Sequence, residues 1–135
     1  MDGLFDRDDC CLLVIDVQDY FLNKLPEQER APLVARIGWL MRVAQALRIP
    51  IIATAEDIAR DGPLVAALTA LLPADPHVFD KQVFGLRDQP DVYEAVRATG
   101  RGSFVLVGLE TDVCVAHSAL GLAATGHRVA VIDDA

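Results

Sequence analysis

Three side chains that could share one reaction lie far apart in this 135-residue chain: Asp16, Lys81 and Cys114. Asp16 follows the apolar run "CLLVI", Lys81 follows "HVFD", and Cys114 comes a few residues after "SFVLVG". A thiol attacks as thiolate, and a free pKa of roughly 8.5 leaves little of that form at neutral pH. A helix N-terminus, with free N–H groups and a partial positive charge, favours the thiolate. Cys114 falls where a helix is expected to begin. The Lys81 ammonium would add to that effect. Asp16 could hold the lysine charged and pass a proton. N–H groups of the cysteine turn could receive a developing oxyanion. A nucleophile, an acid/base and an oxyanion site together mean acyl transfer, most simply hydrolysis. Each residue also has a plainer reading. A free cysteine commonly serves as a small buried hydrophobe, an acid after a strand as a cap or turn residue, and a lysine after a strand as a solvated surface group.

These residues need elements to bring them together. "CLLVIDV" (11–17) reads as a strand buried on both faces, as parallel sheets require. Leu33, Val34, Ile37, Leu40, Met41, Ala44 and Leu47 recur at helical spacing, and Pro50 stops that helix near Arg48. "PIIATA" (50–55) reads as a second strand. Pro63 can open a helix running over 64–72. "HVFDK" (77–81) is a weak third strand, and 91–99 a short helix closed by Gly100. "SFVLVG" (103–108) is a strand, 113–125 a helix stopped by Gly126, and "RVAVID" (128–133) a last strand. The stretch "EDIARDG" (56–62) reads as a mobile loop. The alternation of strands and helices predicts an α/β fold, a parallel sheet with helices on both faces. Right-handed crossovers put every strand's C-terminal end on one edge, where ligands bind. That edge would gather Asp16, Lys81 and Cys114.

The bulk composition narrows the function classes. The chain is 53% hydrophobic with a formal net charge of −8. The apolar excess suits strands buried on both faces, or a subunit interface. The negative charge argues against nucleic acid and against anionic lipid as partners. No apolar run approaches the roughly 20 residues that span a bilayer. The acidic start "MDGLFDRDDCC" lacks the basic region of a signal peptide. Three cysteines, two of them adjacent, make no disulfide framework. A reducing cytoplasm and a single domain over 1–135 are the expectations.

"LLVIDVQDYF", "FDKQVFGL" and "VGLETDVCV" followed by "ALGLAATGHRVAVIDDA" resemble the isochorismatase-like hydrolases, or cysteine hydrolases, over essentially the whole chain from Leu12 to Ala135. The resemblance implies a three-layer α/β/α fold around a mostly parallel, six-stranded, Rossmann-like sheet. It implies an Asp-Lys-Cys triad, carried here by Asp16, Lys81 and Cys114. The cysteine attacks the carbonyl of a small amide, the aspartate serves as base and acid, and a thioester forms and is hydrolysed. It also implies a cis peptide at Leu109–Glu110, with the N–H groups of Glu110 and Cys114 facing the oxyanion. Nicotinamidases of this family carry a metal site built on histidines after the second strand. Here that region reads "TAEDIARDG", so no metal and no cofactor are expected. Cys114 favours amide chemistry over vinyl-ether hydrolysis of an isochorismate-type substrate, which remains the alternative, beside a non-catalytic binding or assembly module. The family continues past "DDA" by a helix and an edge strand, so the chain is expected to be either minimal or short of a natural C-terminus. A homo-oligomer and a small-molecule substrate complete the expectation.

Gln18, Phe21 and Phe84 are the candidate pocket residues, each with packing or surface exposure as the alternative. His117 lies one turn after Cys114 and could share its face. Glu110 and Asp112 would favour the helix start. His77 and His127 have no ligand spacing, and three histidines without a CxxC or HxxxH leave zinc without support. Gly102, Gly108 and Gly121 form no dinucleotide fingerprint.

Overall fold

The computed structural model describes residues 3–73 and 78–135. Five parallel strands form one sheet: β1 (Cys10–Ile15), β2 (Ile51–Glu56), β3 (Val78–Lys81), β4 (Ser103–Gly108) and β5 (Arg128–Val131). Their order is β3-β2-β1-β4-β5, so β1 is central, in register with β2 through Leu12–Ile51 and with β4 through Cys10–Ser103. All six residues of β1 are buried, which explains why its sequence is a continuous apolar run rather than an alternating one. Alternation appears instead in which core each side chain joins. Leu12 and Val14 pack with Leu33, Ile37 and Met41 of α2 (Glu27–Ala46), beside α1 (Asp19–Leu22). Cys11, Leu13 and Ile15 face the opposite way, onto α5 (Pro90–Ala98) and α6 (Ala116–Ala124), meeting Val92, Val96 and Leu122. The result is the three-layer α/β/α architecture expected. No helix among the described residues is long and apolar enough to cross a membrane.

Several element boundaries differ from expectation. The second helix starts at Glu27, ahead of the apolar periodicity, because its first turns are polar and solvated. It ends at Ala46, and Arg48 turns the chain with φ 58°. The helix expected over 64–72 shrinks to α4 (Ala66–Thr69). Before it, Leu64 bridges Gln18 in antiparallel fashion and the Val65 N–H donates to the Val17 carbonyl at 2.9 Å, so this stretch is extended along the end of the central strand. The stretch 56–62, expected as a loop, carries regular structure: Glu56 closes β2 and residues 58–61 form α3 (Ile58–Asp61), with the Asp57 carboxylate accepting from the Arg60 N–H. β3 begins at Val78; His77 lies outside the described residues. The cysteine helix opens as a π-helical turn over Thr111–Val115 before α6 begins. β5 stops at Val131. Among the described residues the sheet has five strands where the resemblance implies six.

Candidate active site

The C-terminal ends of β1, β2, β3 and the turn after β4 converge at one edge of the sheet. Asp16 leaves β1 with φ 52° and its side chain is fully buried. Its N–H donates to Thr54 of β2 at 3.0 Å, and its Oδ1 accepts from the Thr54 hydroxyl at 2.8 Å. Oδ2 faces Lys81 Nζ at 3.0 Å in a fully buried ion pair. Lys81, the last residue of β3, is also fully buried and donates to the carbonyls of Val83 at 2.5 Å and Phe84 at 3.0 Å. The ammonium thus ties the turn after β3 to the Asp16 carboxylate.

Cys114 sits in the π-helical turn, 1% exposed, with Sγ 3.0 Å from Glu56 Oε2. Its sulfur, a Glu56 oxygen and an Asp16 oxygen lie within 4.8 Å of one another. Glu56 Oε2 is also 3.9 Å from Lys81 Nζ. The structure therefore brings the three expected residues together and adds a fourth, Glu56. The sequence carried its signal, an acid closing β2 as Asp16 closes β1, but a mobile-loop reading of 56–62 hid it.

The electrostatics around the thiol run against the sequence-based expectation of a lowered pKa. Burial pushes the Cys114 thiol up, the bond to Glu56 pushes it further, and the Asp16 charge adds to both; Lys81 opposes them. Two carboxylates and a dry site outweigh one ammonium and the dipole of a turn in which Cys114 is the fourth residue. Burial likewise raises the Asp16 carboxyl, against the lowering effect of Lys81. A carboxylate raised in this way is a better proton acceptor than a solvated one.

Asp16, Glu56 and Cys114 together could offer one sulfur and two oxygens to a cation. The Lys81 ammonium already faces both carboxylates, at 3.0 and 3.9 Å. A divalent ion at the same point would meet that ammonium at contact range, so the donor set suits lysine rather than a metal.

The remaining expected residues are placed differently. Gln18 is buried, and its amide donates to the carbonyls of Glu56 at 2.8 Å and Gly62 at 2.7 Å and accepts from the Glu56 N–H at 2.7 Å. It clamps the end of β2 with both amide donors engaged. Phe21 is buried in the α2-side core, edge-on to Tyr20 at 5.2 Å. Phe84 is 52% exposed and its ring lies 5.8 Å from His117, which is itself exposed. The Leu109–Glu110 peptide is cis, and Glu110 pairs with Lys24 at 3.3 Å. A cavity of about 400 Å³ opens on the α2 side, with Leu109, Thr111, Arg36 and Asp133 among its walls, but none of Asp16, Lys81 and Cys114 lines it.

Comparison with known proteins shows the family and the fold. The probable hydrolase YcaC of Escherichia coli is 30% identical over 131 residues, covering 96% of this chain and 63% of that protein. The chain thus spans just under two thirds of that relative's length. The structure of YcaC from Pseudomonas aeruginosa with hexane-2,5-diol and covalent acrylamide superposes with a TM-score of 0.86 at 28% identity, covering 99% of this chain and 67% of that one. The N-carbamoylsarcosine amidase from Thermoplasma acidophilum shares the fold, with a TM-score of 0.80 at 21% identity over 94% of this chain and 83% of that one. The Isochorismatase domain model matches residues 10–135, and the chain belongs to the isochorismatase family.

Proposed function

We propose that this chain is a metal-independent cysteine hydrolase that cleaves a small-molecule amide-type C–N bond. The observation that carries the reading is the fully buried Asp16 carboxylate, one oxygen of which lies within 4.8 Å of Cys114 Sγ. It is positioned to take the thiol proton as sulfur attacks the carbonyl, so that no standing thiolate is needed. The oxyanion that forms meets N–H groups of the turn after the cis peptide, those of Glu110 and Cys114. Asp16 then returns the proton to the leaving nitrogen and the C–N bond breaks, leaving a thioester. Water adds to the thioester with Asp16 again as base, and the acid leaves as the thiol is restored. Lys81 keeps Asp16 anionic between these transfers. The family membership supports the hydrolase reading, and the acrylamide bound covalently in the Pseudomonas aeruginosa relative fits a reactive site in this fold.

The raised Asp16 carboxyl favours one second reading. A buried acid that holds its proton could protonate a vinyl ether of isochorismate type, with Cys114 a bystander. Hydrolysis assays with Cys114→Ala separate the two. Loss of roughly a thousandfold or more of the rate is expected for a nucleophile. Full retention would overturn the cysteine mechanism.

The same proposal covers the wider setting. The Escherichia coli relative is described as an octameric hydrolase of unknown specificity. Exposed Trp39, Phe84, Leu120 and Val131 give this chain apolar surface for a homo-oligomer. All three cysteines are free thiols, which suits a reducing cytoplasm. We read 1–135 as one domain of the family type.

A further inference from the structure

The four clustered side chains differ in their access to solvent and in their unspent hydrogen-bonding capacity. Asp16 and Lys81 are fully buried and Cys114 is 1% exposed, whereas the Glu56 side chain is 12% exposed. Glu56 is the member an incoming molecule meets first. Lys81 is buried behind Glu56, ion-paired with Asp16 at 3.0 Å and donating to the carbonyls of Val83 and Phe84, with Glu56 farther off at 3.9 Å. The cation nearest on the outer side, Arg60, is committed elsewhere: its Nε and Nη2 grip both oxygens of Asp61 at 2.9 and 2.7 Å, leaving Glu56 at 3.8 Å. Asp57 and Asp80 add further negative charge beside the end of β2. Acids outnumber cations around the end of β2, and the nearest contact of Glu56 is the thiol itself at 3.0 Å, with Arg60 and Lys81 as longer ion pairs at 3.8 and 3.9 Å.

On the reading of Cys114 as the nucleophile, we infer that Glu56 selects substrates that carry a cationic group, such as an ammonium, amidinium or guanidinium, beside the scissile amide, and that pairing with this group releases the thiol for attack. An anionic substrate would bring like charges together within a few ångströms in a poorly solvated site. A cation does the reverse. Its N–H or positive charge takes the Glu56 carboxylate away from Sγ, so the S–H proton turns to the Asp16 carboxylate, the S–H bond breaks, and the sulfur lone pair attacks the carbonyl. The resting thiol is then quenched until the correct substrate is in place. This selection also separates the two reactions considered above, since an isochorismate-type substrate is anionic.

The test labels Cys114 with three methanethiosulfonates: the cationic 2-(trimethylammonium)ethyl, the anionic 2-sulfonatoethyl and the neutral methyl reagent. In each, sulfur attacks the thiosulfonate, methanesulfinate leaves and a mixed disulfide forms, with no other oxidant. Peptide mass spectrometry assigns the label to Cys114, and rates are divided by those of 2-mercaptoethanol with the same reagent. The expected normalised preference for cation over anion is about tenfold or more in the native protein, falling close to unity in Glu56→Gln. It should also shrink in native protein at about 1 M salt, where the screening length is about 3 Å, which tests the idea should the variant fail to fold. A native ratio of unity or below, with the neutral reagent still labelling Cys114, overturns the selection while leaving the nucleophile intact. If no reagent, the neutral one included, labels Cys114 in the folded protein, the nucleophile reading falls and takes this inference with it.

Discussion

Lys81 Nζ lies 3.0 Å from Asp16 Oδ2 with both side chains completely buried. Two ions can be held without water only because each has other partners: the Thr54 hydroxyl for Asp16, and the Val83 and Phe84 carbonyls for Lys81. Removing one ion strands the other. Lys81→Met should cost about 3–5 kcal/mol in urea unfolding, because an uncompensated carboxylate remains in the core. Combining it with Asp16→Asn should recover part of that loss, since no charge is then left unpaired. Additive losses in the double variant would show that the two groups are not coupled.

The thiol at Cys114 is expected to be sluggish at neutral pH. Its pKa is raised by burial first, then by Glu56, then by Asp16. Alkylation by iodoacetamide should keep accelerating past pH 9 rather than level off near neutrality. Glu56→Gln should shift the curve to lower pH by removing the second of these causes. Lys81→Met should shift it higher still. A plateau below pH 8 in the native protein would mean that the thiolate is stabilised after all.

The same thiols set a stability slope in alkali. Unfolded cysteines ionise at roughly 8.5, whereas burial, with the neighbouring Cys10 as a second cause, holds folded Cys11 up to about 12. Between those values the unfolded chain binds fewer protons than the folded one, so stability falls as pH rises. Cys11 alone should contribute a decline of about 1.4 kcal/mol per pH unit above 9. Urea titrations from pH 7 to 10 read the slope directly. Cys11→Ala should flatten it by that amount, and an unchanged slope would reject the assignment.

The sheet and the clustering of three residues in the candidate site were legible because their causes are local. β1 and β4 are continuous apolar runs, Asp16 and Lys81 close their strands, and Cys114 follows a strand by a short turn. What escaped depends on neighbours distant in the chain. Glu56 meets Cys114 across 58 positions, and only the folded sheet shows that this acid points at a thiol. The direction of the Cys114 shift follows from burial first and then from the same contact. Leu64 is pulled out of helix by its bridge to Gln18, a pairing that no pattern within 64–72 encodes. Gln18 offered an amide near the site, but its partners, the backbone of Glu56 and Gly62, make it a clamp.

Gln18 therefore yields a prediction of its own. Its amide makes three hydrogen bonds that fix the end of β2 and the turn that carries α3. Gln18→Leu keeps the bulk but leaves the Glu56 N–H and two carbonyls without these partners. A loss of about 2–4 kcal/mol is expected. Amide exchange at Glu56 should accelerate more than exchange in β1 or β4, because the damage is confined to the β2 end. Uniform acceleration across the sheet would point to global destabilisation instead.

Gly108 supplies the most severe test of the geometry at the site edge. It ends β4 with φ 124°, and a Cβ built there would lie 1.9 Å from the Ile15 carbonyl oxygen. The obstruction is backbone, not a side chain that could swing aside. β4 must come this close to β1 because Leu109 N–H donates to that same Ile15 carbonyl at 2.9 Å, just before the turn that carries Cys114. Gly108→Ala should thus cost more than about 4 kcal/mol or prevent folding. Gly126 makes the control: φ is positive there too, at 87°, but nothing lies within 4 Å of an added Cβ. Gly126→Ala should cost only about 1 kcal/mol, the conformational part alone. Urea midpoints for the two variants decide the matter. Equal losses would mean that the left-handed backbone, and not the approach of β4 to β1, sets the requirement for glycine at 108.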